Sequence, residues 1–194
     1  MSKNALETKR SDSFGAISRN KNTERVFVGP NGFAQIAVTG TWALEANSSV
    51  PSLGTDDAST TNVFNVFCPA PFSDAEVESG SGVTDRGYRV IGYEVLYQVA
   101  TSALGAFDAD LYKLTLNDTA IPTAAEVTTT LSFDTSGDAG TEVDFHRAEV
   151  LIAERDRFFV DSGQTVFAQI EITDGTSSDV NLFGVIWHLE RVEE

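Results

Sequence analysis

Two histidines, one cysteine and a few close-set carboxylates are the side chains of this chain best suited to chemistry, and their spacing limits what they can do. His146 follows Asp144 by two residues, which puts both on one face of a strand, where a carboxylate can orient an imidazole for nucleophilic catalysis. No serine sits in a nucleophile-elbow sequence to use it. His188 is remote from His146 and no His-x-His pair exists, so a cupin-like metal centre lacks its ligands. Each histidine reads as a strand residue, satisfied internally or at the surface. Asp108 and Asp110 form a second i, i+2 pair. Such a pair can serve glycoside hydrolysis or Ca²⁺, but it more commonly means a strand with acids on its wet face. In "DTSGDAGTE", residues 134–142, the oxygens of Asp134, Ser136, Asp138 and Glu142 have the spacing of a Ca²⁺ loop. The glycines are out of place for an EF-hand and flanking helices are missing, so the stretch reads as a solvated hairpin turn. "GSG" at 80–82 reads as flexible loop rather than a phosphate cradle. Cys68 stands alone, which excludes a disulfide framework or a cysteine metal cluster and leaves a buried, inert thiol. No catalytic, cofactor-binding or metal-ligating residue is assigned, and the chain is expected to be no enzyme and to need no cofactor.

The elements that would have to position these residues are strands. "ERVFVGPNGFAQIAV" sets two apolar runs about Gly29-Pro30-Asn31-Gly32 and predicts a hairpin. A polar connection of about fifteen residues, "NSSVPSLGTDDASTT", precedes the strand "NVFNVFCPAPF", and "SDAEVESGSGVTDRG" forms a second long surface loop. From Gly87 onward the β signal is dense. In "YRVIGYEVLYQV" the odd positions Ile91, Tyr93, Val95 and Val99 read as the inner face of a sheet. The even face, Val90 and Leu96 beside Glu94 and Gln98, is too mixed for core and too apolar for open water, so a neighbouring subunit or the N-terminal segment is its expected cover. "FDADLYKLTL", "VTTTLSFD", "VDFHRAEVLIA" and "TVFAQIEI" continue the pattern. "LFGVIWHLERV" places Phe183, Val185, Trp187 and Leu189 on one face, and the one plausible helical turn is "PTAAEV". About ten short strands with Gly, Asn, Asp and Ser turns predict an all-β fold, an antiparallel β-sandwich or jelly roll. Trp42 and Trp187 fall inside strand patterns and read as core.

Charge divides the chain. The formal net charge is −16 over 194 residues. Residues 1–25 carry six basic against three acidic side chains, +3, which leaves −19 on the rest. Two units follow: a flexible basic N-terminal arm, 1–25, and a sandwich domain, 26–194. A body this acidic is a poor surface for phosphates, so nucleic acid is not an expected partner. The start "MSKNALETKR" has no apolar h-region and no stretch approaches the roughly 20 apolar residues of a bilayer span, so neither export nor a membrane is expected. In the arm, Leu6, Phe14 and Ile17 supply apolar contact and Arg10, Arg19 and Lys21 charge, the composition of a tether that orders on a partner.

The order "GYRVIGYEVLYQVATSAL", "DADLYKL", an Ala/Thr-rich polar strand, "HRAEVLI", "RFFVDSGQTVFAQIEIT" and "FGVIWHLE", over roughly residues 87–192, resembles small β-sandwich or jelly-roll proteins of tailed-bacteriophage virions, especially head decoration (cement) and fibre proteins. The resemblance implies assembly in the host cytoplasm, a homotrimer, and attachment to a major capsid protein or another protein at the virion surface. Val90, Glu94, Leu96 and Gln98 are then the expected subunit interface and the arm the expected anchor. The alternative is a glycan- or receptor-binding fibre module with loops 47–61 and 73–86 as its site. Those loops lack Trp and Tyr, which weighs against it.

Overall fold

The computed structural model describes residues 23–37, 42–47, 50–55, 61–69, 87–100, 104–116, 120–127, 131–133, 144–160, 163–174 and 179–192. Among them the chain is an antiparallel β-sandwich of jelly-roll type, with two single-turn 3₁₀ segments and no α-helix. The strands are β1 (Thr23–Val28), β2 (Phe33–Ala37), β3 (Ala43–Asn47), β4 (Val50–Thr55), β5 (Thr61–Phe67), β6 (Gly87–Ala100) and β7 (Leu104–Thr115). They continue with β8 (Thr123–Glu126), β9 (Leu131–Phe133), β10 (Asp144–Leu151), β11 (Phe158–Phe159), β12 (Gln164–Asp174) and β13 (Asp179–Val192). Sheet I has the order β10-β6-β13-β4-β3, with β1 also on β13 and β11 also on β6; sheet II has the order β2-β5-β12-β7-β8, with β9 also on β7.

Three local expectations change. The apolar runs around Gly29-Pro30-Asn31-Gly32 do not pair with each other. The turn is a 3₁₀ turn closed by Gly32 N–H to Gly29 O, and it carries the chain from β1 in sheet I to β2 in sheet II. Proline at its first position fixes φ for a tight reversal, but nothing in those four residues requires the flanking strands to join one sheet. The polar connection 47–61 contains a strand, β4, which pairs back on β3 just before it as a hairpin. "PTAAEV" contributes strand β8, opposite Tyr112–Thr115 of β7. Pairing to an existing edge overrides the helix preference of two alanines.

The core lies between the sheets. Val95, Tyr97 and Val99 of β6 and Val185, Trp187 and Leu189 of β13 face Phe107, Ala109 and Leu111 of β7 and Ala168, Ile170 and Ile172 of β12, and all are buried. Tyr97 stacks on Phe107 at 4.5 Å between centroids, and Trp42 meets Phe64 edge-on at 4.7 Å. Each fully buried Val, Leu, Ile or Phe among them contributes roughly 1.5–3 kcal/mol by leaving water. Both tryptophans are core, and Cys68 is buried and forms no disulfide.

Two β-bulges in the β6–β13 ladder decide which residues join that core. Leu189 lies opposite Val90 and His188 opposite Gly92, so Ile91 is an extra residue; Leu182 lies opposite Tyr97 and Gly184 opposite Leu96, so Phe183 is another. An extra residue reverses the alternation beyond it. Val90 therefore points inward and is fully buried in the core, away from the mixed face where strict alternation puts it. Likewise Leu182 takes the core position and Phe183 leaves it, its ring 5.6 Å from that of Phe145.

Candidate functional site

With chemistry-bearing pairs scarce, the outward faces of the two sheets are where this protein can meet other molecules. Register builds the face of sheet I row by row across β1, β13, β6 and β10. One row reads Arg25, His188, Gly92, Leu151 and the next Phe27, Ile186, Glu94, Glu149, followed by Gly184, Leu96, Arg147 and then by Asn181, Gln98, Phe145. At its centre Glu94 is fully buried, although it lies on the outer side. Three side chains from three other strands close over it. Arg25 donates from Nη2 to Oε1 at 3.0 Å, Arg147 donates from Nε to Oε2, and His188 Nε2 lies 2.6 Å from Oε1. Because the carboxylate can only accept, the imidazole proton must sit on Nε2.

Burial, followed by the charges of Arg25 and Arg147, pulls His188 from its ordinary value of 6.5 down to about 3. The group is thus one carboxylate, two guanidiniums and a neutral imidazole. Both arginines remain partly exposed, 39% and 47% of their side chains, and apolar side chains surround them. Phe27 is 58% exposed, Phe145 58% and Leu151 45%. The arrangement holds four strands in register and presents an apolar surface with positive charge, as protein interfaces do. It has no nucleophile for the imidazole to activate.

The face of sheet II differs. Phe67, Phe167 and Tyr112 form one tier across β5, β12 and β7, with centroids 5.4 and 5.3 Å apart. The next tier is Asn65, Gln169 and Asp110, with Gln169 donating to Asn65 at 3.3 Å, and the next is Val63, Glu171 and Asp108. Asp108 and Asp110 thus stand on the outer side of a strand, one tier apart. Burial first, then Asp110, Glu126 and Glu171, raises the Tyr112 phenol. Inside the core, the Tyr93 hydroxyl and the Trp187 indole N–H are buried without a hydrogen-bond partner, their rings 5.3 Å apart. Burial raises the Tyr93 phenol strongly, with Asp110 adding to it.

The structure brings some expected residues together and separates others. Glu94, Leu96 and Gln98 share the outer face of sheet I, whereas Val90 is in the core behind it. His146 lies on the inner side, stacked at 5.2 Å on Tyr97, and His188 on the outer side. No group of three or more His, Cys, Asp or Glu among the described residues is placed to hold a metal. Leu6, Arg10, Phe14, Ile17, Arg19 and Lys21, the stretch 134–142 and loop 73–86 lie outside the described residues. Sequence reasoning missed Arg25, Arg147 and His188 as partners of Glu94. The available signal was a lone acid inside the apolar run "GYEVLYQV", which demands a counter-charge without saying where it comes from.

No protein-family model matches the chain, and no curated protein matches it. Among solved structures, a family 30 carbohydrate-binding module is similar at 9% identity and TM-score 0.41, covering 83% of this chain and 91% of that one. The xylan-binding module CBM15 is similar at 12% identity and TM-score 0.39, covering 89% and 99%. A chain of the infectious bursal disease virus Gx strain structure is similar at 10% identity and TM-score 0.39, covering 88% of this chain and 32% of that one. These likenesses concern the sandwich alone.

Proposed function

We propose that this protein is a structural coat component, a self-associating β-sandwich that decorates the outer surface of a virus shell, with residues 1–22 as its anchor; the expected arm of residues 1–25 is shortened because Thr23, Glu24 and Arg25 are paired with β13 in strand β1. The carrying observation is the outer face of sheet I, where Phe27, Phe145 and Leu151 remain about half exposed around a charge cluster that already holds its strands together. Apolar side chains next to arginine suit a contact between proteins rather than open water. The arm adds charge of the opposite sign to an acidic body and three larger apolar residues to bury. Mixing undecorated shells with the full chain and with a form lacking residues 1–22, which leaves β1 intact, then measuring occupancy, tests the reading. The truncated form should bind at least tenfold more weakly, and high salt should weaken the full chain in part. Equal occupancy would reduce the arm to a tail.

A glycan-binding module is the second reading, favoured by the tiers of sheet II. There the aromatic row Phe67, Phe167 and Tyr112 borders the amides of Asn65 and Gln169 and the carboxylate of Asp110. This moves the candidate site from loops 47–61 and 73–86 to a sheet face. Tyr112 and Phe167 stack on each other at an interplanar angle of 10°, so their facing surfaces are occupied and Phe67, 44% exposed, is the ring left to meet a sugar. Retarded migration in polysaccharide gels, abolished by Phe67→Ala, would favour this reading over the first.

A further inference from the structure

β10 closes one edge of sheet I: among the described residues it pairs with β6 on one side and with no strand on the other. Such an edge is a template for another chain, and proteins often blunt it with lysine, proline or a bulge. "DFHRAEVL" contains no lysine or proline, and its register with β6 is unbroken from Asp144 to Leu151. Ile152 N–H donates to Ile91 O at 2.7 Å just beyond the strand. Alternation therefore turns the backbone groups of His146, Ala148 and Val150 toward β6 and those of Phe145, Arg147, Glu149 and Leu151 toward the open edge.

The same four residues supply the outward side chains, in the order apolar, positive, negative, apolar. Read in reverse, that order is its own complement. We propose that two copies of this protein join β10 to β10, antiparallel about a twofold axis at Ala148, so that sheet I continues from one copy into the other. Arg147 then lies opposite Glu149 of the second copy and Phe145 opposite its Leu151, while on the inner side His146 meets Val150. The pairing supplies about eight main-chain hydrogen bonds. Ala148, the smallest side chain of the strand, meets its own copy in a non-hydrogen-bonded pair, where Cα atoms approach to about 4.5 Å.

Charge sets the register. A slip that centres the pair on Arg147 or on Glu149 puts like charges face to face, and a slip by one residue turns every side chain to the wrong side. A guanidinium has five N–H donors, so Arg147 can serve Glu94 through Nε and a second carboxylate as well. Burial raises the Glu149 carboxyl while Arg147 lowers it, so a further guanidinium from the second copy adds to the stabilising side. The contact is isologous and closes as a pair, whereas the virion-protein resemblance implies a homotrimer. A ribbon of eight residues buries less than the roughly 800 Å² per partner of a standard interface. Micromolar affinity is expected.

The proposal rests on reading the protein as self-associating and names the strand responsible. Sedimentation equilibrium of the full chain should show a monomer–dimer equilibrium at micromolar concentration. Glu149→Arg sets arginines opposite one another and should weaken it at least tenfold, with the thermal melt showing that the variant is folded. Ala148→Cys should link two copies under mild oxidation, giving twice the chain mass on a non-reducing gel. The unsubstituted protein, with its buried Cys68, and Ala125→Cys on exposed β8 should not. A monomer at every concentration overturns the pairing. So does an oligomer that ignores Glu149→Arg and leaves Ala148→Cys unlinked, though the coat reading survives that second result.

Discussion

Glu94 has no water contact, and every polar partner it shows comes from a different strand. Removing one member of a buried ionic group strands the others, which costs more than the intact group contributes. Arg25 and Arg147 can swing into water, so the main loss falls on His188. We expect Glu94→Ala to lower unfolding free energy by about 3 kcal/mol and Glu94→Gln by about half as much, because the amide still accepts from the imidazole. Both should appear as shifted denaturant midpoints at unchanged slope. His188 adds a pH dependence whose sign follows from its lowered value. The folded imidazole resists protonation down to about pH 3, while the unfolded one takes up its proton near 6.5. Its contribution is complete above pH 6.5 and is lost progressively as pH falls toward 3. His188→Gln keeps a donor for Glu94 but removes the titration. The stability difference between the two proteins should therefore narrow as pH falls from 7.5 to about 4, and a constant difference would contradict the assignment.

Among the elements, β1 is held through close approach as well as through Arg25. Gly184 has φ of +156°, and a Cβ there would meet the Phe27 ring and lie 2.5 Å from Val28 O. Gly184→Ala should cost about 2–3 kcal/mol by overpacking, and the loss should be local. Hydrogen exchange should show β1 amides losing protection before those of β7 and β12. The strand pattern from Gly87 onward was legible because each long strand buries one side, and the alternation of Tyr93, Val95 and Val99 survives in the structure. Val90 and Phe183 were not legible. A bulge is a property of two strands paired, and nothing in either strand alone announces which residue will be extra. For the same reason the run around Pro30 could be recognised as a turn but not assigned to one sheet or two.

For the whole molecule, a core built from apolar strands of both sheets is expected to hold without a bound ion. Chelator should leave the thermal midpoint unchanged to within about 1 °C, and a fall of many degrees would return attention to Asp134, Ser136, Asp138 and Glu142. Composition and period by themselves determined an all-β chain with an acidic body, a basic leading segment and a lone buried thiol, because hydrophobic alternation and charge are local properties of consecutive residues. Only the tertiary structure decided that Arg25, Glu94, Arg147 and His188 form one group, since the first and last of them lie 163 positions apart in the chain and all four meet only when β1, β13, β6 and β10 lie side by side. It also decided that β10 is an edge. The self-complementary order Phe145, Arg147, Glu149, Leu151 is visible in the sequence, but it acquires a consequence only at a sheet edge that no further strand among the described residues covers.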